Sequence, residues 1–194
     1  MKILITGICG FLGHHFAEHV LRNTDWQIIG LDQLTYASKG FDRLRDIKAY
    51  NSGRISLFTH DISRPISDGI GYEIGSVDYI VHMAAYTHVD GSIKDPRPFV
   101  RSNVLGTMEM LEFAKTQDKL RWFVYFSTDE VFGPTAIDHQ CAYWDDMRTQ
   151  FCDPQKEYRE WDRYNSTNRY SATKAAGEEL CLAYANSYKL PLFI

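Results

Sequence analysis

Cysteine is scarce in this 194-residue chain, and Cys9, Cys141, Cys152 and Cys181 lie far apart, with no CxxC pair and no histidines at zinc spacing. That excludes a disulfide framework and leaves no metal site to assign; the thiols read as reduced, as in a cytoplasmic protein. Neither charge dominates: 21 basic against 25 acidic side chains give a net charge of −4, and the two signs are interspersed. No basic stripe exists to follow a polyphosphate backbone, so nucleic acid is excluded as a partner. Long apolar runs are missing as well, since nothing approaches the roughly 18–20 residues that a membrane span needs. The apolar run behind Lys2 is broken by Gly7, Gly10 and Gly13, which makes it too short for a signal peptide. Internal repeats, low-complexity tracts and flexible linkers are also absent. At this length one domain buries enough surface to need no covalent staple.

Short apolar runs alternate with helical periodicity. Strands are expected at Lys2–Thr6, 27–31, Ile55–Thr59, 77–83 and 121–126, with a sixth beginning at 190–194. Between them, Leu12, Phe16 and Val20 fall on one helical face, and Phe41, Leu44 and Ile47 mark a weaker amphipathic stretch. Val100, Val104, Met108 and Leu111 mark a helix opened near Pro96 or Pro98, and a last helix is expected over 168–188; the segment up to Gly75 reads as irregular. Strands of this length alternating with helices imply right-handed βαβ units, and continuously apolar strands imply a sheet covered on both faces. The expected fold class is therefore α/β, a doubly wound parallel sheet. The connection 134–167 is long, polar and dense in aromatics (Tyr143, Trp144, Phe151, Tyr158, Trp161, Tyr164), which suits a lid or a subunit contact better than disorder.

Three motifs carry chemistry. Gly7, Gly10 and Gly13 are spaced three apart between a strand and a helix: the first suits a tight turn, the second close approach of a pyrophosphate, the third close helix packing. A ligand-free glycine turn would share that pattern, but Asp32 ends the second strand where a carboxylate accepts hydrogen bonds from ribose hydroxyls and repels the extra phosphate of NADP. The cofactor expected is NAD. Asp61 and Ile62, past the third strand, lie where side chains meet an adenine. Second, Tyr170 and Lys174 are one helical turn apart and share a face, where an ammonium is expected to lower the phenol pKa and make it a base. Third, Ser127-Thr128-Asp129-Glu130-Val131-Phe132-Gly133 follows the fifth strand, and carboxyl ends of parallel strands are where open α/β sheets bind ligands. Adjacent acids there resist ionising together, which favours different roles for Asp129 and Glu130. His14 and His15 on the first helix, and His82 in a core strand, read as structural histidines.

These motifs, with His82-Met83-Ala84-Ala85 and Asn103, resemble those of the extended short-chain dehydrogenase/reductase family, the nucleotide-sugar epimerases and dehydratases. The resemblance runs through almost the whole chain. STDEVFG at 127–133, LTYAS at 34–38 and THVDGSI at 87–93 are similar to the dehydratase branch. It implies an NAD-binding Rossmann fold over 1–194 that carries the catalytic residues, and a nucleotide-sugar substrate, dTDP-glucose. The reaction it implies is transient oxidation at C4, loss of water across C5 and C6, and hydride return. In that scheme Tyr170 takes the C4 hydroxyl proton with Thr128 on the same oxygen, and Lys174 tunes Tyr170 and holds the nicotinamide ribose. Glu130 removes the C5 proton and Asp129 protonates the departing C6 hydroxyl. Cofactor contacts are implied for Gly7, Gly10, Phe11, Leu12, Gly13, Asp32, Asp61, Ile62, Ala84, Ala85, Tyr86, Asn103, Tyr170 and Lys174, and no metal. A homodimer through the helices at 100–111 and 168–188 is implied as well. Phe132 departs from the family's usual tyrosine. The resemblance further implies a C-terminal substrate domain; Pro191-Leu192-Phe193-Ile194 stops inside an apolar run, as expected of the N-terminal part of a longer enzyme. The alternatives are a UDP-sugar dehydratase, decarboxylase or 4-epimerase, or a truncated, non-catalytic NAD-binding protein.

Overall fold

The computed structural model describes residues 1–35, 37–47, 49–133, 158–159 and 162–194. Its elements run β1 (Lys2–Thr6), α1 (Phe11–Asn23), β2 (Gln27–Asp32), α2 (Asp42–Asp46), β3 (Ile55–Thr59), α3 (Asp68–Ile74), β4 (Tyr79–His82), α4 (Val89–Lys94) and α5 (Arg97–Phe99). A π-helical turn (Val100–Leu105) leads into α6 (Gly106–Lys115), followed by β5 (Trp122–Tyr125), a 3-10 turn (Asp129–Phe132), α7 (Arg169–Tyr188) and β6 (Leu192–Phe193). The strands form one sheet in the order β3-β2-β1-β4-β5-β6, every neighbour parallel. This is the expected doubly wound fold.

Side chains alternate across a strand, and β1 shows what that does. Ile3 and Ile5 join Ala17, Val20, Leu44 and Val81 in one core layer, while Leu4 joins Ile74, Ile80, Leu111, Phe123 and Cys181 in the other. Helices α1 and α2 cover the first face; α3, α6 and α7 cover the second. Both faces are covered over the central strands, where residues 3–5, 28–31 and 80–81 are buried, whereas the edge strand β3 is half-buried and exposes Ser56 and Thr59.

Three local expectations need correction, and one element was not expected. In α1 the buried face is Gly13, His14, Ala17 and Val20, with Leu12 left 58% exposed, because close packing of Gly13 on the turn beneath rotates the helix inward at that position. The segment before Gly75 is not irregular but carries α3. Ser67 caps it by accepting from the Ile70 amide, Asp68 suits its positive end, and fully buried Ile74 holds it on the core against the poor propensity of Gly69 and Gly71. The stretch at 87–93, given no element above, opens α4 with His88 as its N-cap. Finally, the helix after Pro96 contains a π-turn, and its extra residue rotates the following face by about 100°. Ser102, Asn103 and Thr107 therefore point inward, while Val100 is 50% exposed. Among the described residues no helix is long and apolar enough to cross a membrane.

Candidate functional site

Strand order reverses between β1 and β4, and the carboxyl ends of β1, β2 and β4 open onto one cleft lined by Gly7, Gly10, Asp32, Ile62, Ala84, Ala85 and Tyr86, with Ser38, His60 and Met83. Gly7 sits at φ +70° with its α-carbon so near the β4 end that a β-carbon would lie 2.8 Å from the Ala84 Cα. At Gly13 a β-carbon would lie 2.2 Å from the Gly7 carbonyl oxygen, so α1 lies against the turn with no room for a side chain. Gly10 caps α1 without a side-chain hydrogen bond, and the first turn carries no acid. The amides and positive end of the helix dipole are thus open to an anion. Phe11 and Leu12, 67% and 58% exposed, start that helix. A bare glycine cradle, an uncapped 13-residue helix and a carboxylate across the cleft are a donor and acceptor set that fits a dinucleotide.

Asp32 is half-buried at the end of β2. Its Oδ2 accepts from the Cys9 amide at 2.9 Å and its Oδ1 from the Leu34 amide at 2.8 Å, which ties the glycine turn to β2. Burial pushes its pKa up, while those two amides and Arg43 pull it back. Burial, with Asp32 next to it, pushes the Cys9 thiol up to about 12, so that thiol is inert. Asp61 folds back on its own turn, its Oδ1 accepting from the amide and hydroxyl of Ser63. Its neighbour Ile62 is buried, its side chain filling the space over Gly106. Asp61 also borders a second, adjoining depression with Gln33, Tyr86, Arg97 and Arg101.

Asn103 departs from the expectation of a cofactor contact. It is 1% exposed behind the Ala84–Tyr86 turn, where its Oδ1 accepts from the Tyr86 amide and its Nδ2 donates to the Tyr86 carbonyl and to Thr173 Oγ1. With both amide hydrogens committed inside the protein, it clamps the turn to α7. His82 extends this network. Thr107 donates to the Asn103 carbonyl at 2.7 Å, so it accepts from His82 Nε2 at 3.2 Å. His82 Nδ1 then accepts from Thr6 Oγ1, which in turn accepts from the Met83 and Ala84 amides. Every hydrogen in the chain is accounted for by a neutral, Nε2-protonated ring, and burial with Lys174 nearby pushes the His82 pKa down to about 3. His82 is a satisfied core histidine, as expected, as is His14, whose Nδ1 pairs with the Gly10 carbonyl at 2.8 Å.

The hydroxyl and acidic residues meet at the carboxyl end of β5. Thr128 caps the 3-10 turn there by accepting from the Glu130 amide, and its hydroxyl lies close enough to the Tyr170 phenol to favour the phenolate. Helix α7 reaches this point because Tyr125 of β5 lies under it, its hydroxyl pointing at the Lys174 carbonyl at 3.3 Å. Tyr170 is 9% and Lys174 4% exposed, both on the inner side of the helix. The expected lowering of the Tyr170 pKa by Lys174 is overturned: burial raises it, Glu130 and Asp129 raise it further, and only the Thr128 hydrogen bond acts the other way. The Lys174 ammonium instead lies 4.0 Å from the centroid of the Tyr125 ring, and burial lowers its pKa to about 8 against the pull of Cys181 and Glu178. The two acids differ in setting. Asp129 is exposed, whereas Glu130 is half-buried and accepts from Asn168 Nδ2 at 2.8 Å.

Glu178 escaped the sequence reading. It is 6% exposed, one turn beyond Lys174 on the same face, and accepts from Ser127 Oγ and from the Tyr164 hydroxyl. The repeated four-residue spacing after Tyr170 was the signal that could have found it. Of the aromatic connection, Tyr143, Trp144, Phe151 and Trp161 lie outside the described residues, as do Cys141 and Cys152. Tyr158 and Tyr164 pack on Phe132 with ring centroids 5.1 and 5.8 Å away, so the phenylalanine at this position has an aromatic setting of its own.

Comparison with known proteins places this geometry. A dTDP-D-glucose 4,6-dehydratase of Dictyostelium discoideum is 37% identical over 195 residues, covering 100% of this chain and 42% of that protein. A trifunctional UDP-glucose 4,6-dehydratase/UDP-4-keto-6-deoxy-D-glucose 3,5-epimerase/UDP-4-keto-L-rhamnose-reductase of Arabidopsis thaliana is 36% identical over 98% of this chain and 26% of its own length. Among solved structures, dTDP-glucose 4,6-dehydratase DesIV from Streptomyces venezuelae, with NAD and TYD bound, superposes with a TM-score of 0.79 at 31% identity, over 99% of this chain and 54% of that one. The chain thus spans about half, or less, of the length of the relatives it matches. Residues 3–194 match the model of the NAD dependent epimerase/dehydratase family, and with the glycine cradle, the parallel sheet and these relatives in agreement, the chain belongs to that family.

Proposed function

We propose that residues 1–194 form the NAD-binding domain of a nucleotide-sugar 4,6-dehydratase that converts dTDP-glucose to dTDP-4-keto-6-deoxyglucose. The observation that carries this reading is the turn after β5, which brings an acid pair, Asp129 and Glu130, to the hydroxyl cluster of Thr128 and Tyr170. A 4-epimerase has no use for two acids there, and a decarboxylase has no use for Asp129. Bound NAD supplies a hydride acceptor at sugar C4 and the same hydride for return to C6. Gly7, Gly10, Gly13 and the first turn of α1 hold its pyrophosphate, Phe11 and Leu12 cover it, and Asp32 accepts from the adenosine ribose. Asp61, Ile62 and the turn Ala84–Tyr86 line its flanks, and Asn103 fixes that turn from behind.

Tyr170 takes the proton of the C4 hydroxyl while Thr128 holds the same oxygen. Lys174, its pKa lowered by burial to about 8, reaches toward the nicotinamide ribose. Once C4 is a ketone, the C5 proton is acidified; Glu130 removes it, and Asp129 delivers a proton to the C6 hydroxyl as water departs. Asp129 stands in solvent, and Glu130 is the half-buried acid, held by the Asn168 side chain. Cys9 and Cys181 are free thiols, which suits the cytoplasm. We place the homodimer contact on the outer faces of the α6 and α7 region, where Leu105, Leu182 and Tyr188 are 38%, 42% and 55% exposed. UDP-glucose is the second substrate to test, because the Arabidopsis relative at 36% identity acts on that nucleotide.

The test uses the full-length protein with NAD and either sugar nucleotide in deuterated water, followed by proton NMR. A new C6 methyl signal with deuterium at C5 is expected. Inversion at C4 without a methyl signal would make the enzyme an epimerase, and NAD binding without any turnover would make it a non-catalytic binder. Asp129→Asn is expected to spare C4 oxidation and slow water loss; no change in water loss removes Asp129 from the scheme.

A further inference from the structure

The fold gives the two adjacent acids different settings, and one side chain does it. Asn168 is the N-cap of α7. Its Oδ1 accepts from the Ser171 amide at 2.8 Å, and its own amide points back at Ser171 Oγ, which completes a capping box. The Ser171 amide can only donate, so it fixes which end of the Asn168 side chain is oxygen. The other end is therefore the NH2 group, and it lies 2.8 Å from Glu130 Oε2. An NH2 group can only donate, so Glu130 is the acceptor. A second bond, from the Asn165 amide to the Val131 carbonyl at 2.8 Å, fastens the same stretch of chain to the same turn. Tyr170 sits two residues after Asn168. The cap that starts the helix carrying Tyr170 and Lys174 thus also grips the acid facing them.

We propose that Asn168 is a positioning residue that holds the Glu130 carboxylate in place for proton abstraction and so assigns the base role to Glu130 and not to Asp129. The inference rests on the dehydratase reading above. Asp129 is exposed, and among the described residues its side chain accepts a hydrogen bond only from the hydroxyl of its neighbour Thr128, at 3.4 Å. Glu130 is gripped by a group that is itself fixed at both ends.

The two jobs of Asn168 are separable. Serine caps a helix as well as asparagine does but has no NH2 to reach Glu130, whereas aspartate caps and places a second carboxylate against it. In the full-length protein, Asn168→Ser is expected to keep the thermal midpoint of the wild type. Its rate of solvent deuterium entry at C5 and its kcat should fall at least tenfold, with KM and the extent of C4 oxidation unchanged. Asn168→Asp should fall further. Wild-type C5 exchange in Asn168→Ser overturns the proposal. A second measurement needs no substrate: the Asn168 side-chain amide signal in NMR should move with pH through the carboxylate range in the wild type and stay fixed in Glu130→Gln. Identical behaviour in the two proteins means the contact is not made in solution, and the proposal falls even if Asn168→Ser fails to fold. A wild type with no C5 exchange at all would instead refute the dehydratase reading, and the amide comparison would still decide the contact.

Discussion

Replacing Lys174 by methionine should make the protein more stable, and pH should switch the gain off. Lys174 is 4% exposed, under α7 and against the Tyr125 ring, and burial lowers its pKa from 10.5 to about 8. That lowering means the charged form is disfavoured in the folded chain by about 3 kcal/mol relative to the unfolded one. The neutral amine bears no such penalty, and methionine has nearly its shape. Between pH 8 and 10.5 the unfolded chain binds a proton that the folded chain has released, so wild-type stability rises with pH across that window. At pH 7 Lys174→Met is therefore expected to be about 3 kcal/mol more stable than the wild type. At pH 9.5 the difference should have shrunk by about 2 kcal/mol. Paired urea melts at the two pH values check this, with a midpoint shift of roughly 1 to 2 M expected at pH 7. A methionine variant less stable than the wild type at pH 7, or a gain independent of pH, would mean that Glu178 and the Tyr125 ring fully compensate the buried charge. The same variant should lose turnover, which would make Lys174 a charge kept for chemistry at a cost in stability.

Gly13→Ala should destabilise by about 2 to 3 kcal/mol in urea melts, against the roughly 1 kcal/mol gain that alanine brings inside an ordinary helix, because the new methyl would lie 2.2 Å from the Gly7 carbonyl oxygen. A stabilised variant would mean that α1 does not rest on the glycine turn. His82 should show an unprotonated Nδ1 and a protonated Nε2 in nitrogen-15 NMR, with no titration between pH 5 and 9. Its low folded pKa should also make stability fall as pH drops below 6.5, and a ring that titrates near neutrality would break the Thr6–His82–Thr107 chain.

Much of this was legible before any coordinates. The apolar β1 run, the glycine spacing, Asp32 and the four-residue spacing of Tyr170 and Lys174 are local signals: strand period, turn chemistry and helix pitch fix them within a few residues of chain. What failed did so where distant parts of the chain meet. Leu12 reads as a core residue by period, but the tight seat of Gly13 turns the helix and leaves it in solvent. The glycines of 68–74 argue against a helix that Ile74 and the Ser67 cap nonetheless hold. The π-turn at Val100–Leu105 has no periodic signature, because it is the partners of Asn103 across the fold, Tyr86 and Thr173, that make an inward asparagine favourable.

Charge follows the same division. The sequence by itself determined the α/β order, the glycine cradle, the carboxylate opposite it and the set of hydroxyl and acidic groups available for proton transfer. Only the tertiary structure decided their protonation and their roles. It pushed the Tyr170 pKa up where proximity to a lysine had suggested down, laid the Lys174 ammonium over an aromatic ring, and gave one of two adjacent acids a fixed donor from a residue 38 positions away. The physical reason is that spacing along a chain fixes direction and reach, whereas desolvation and hydrogen-bond pairing are set by whatever the fold brings alongside.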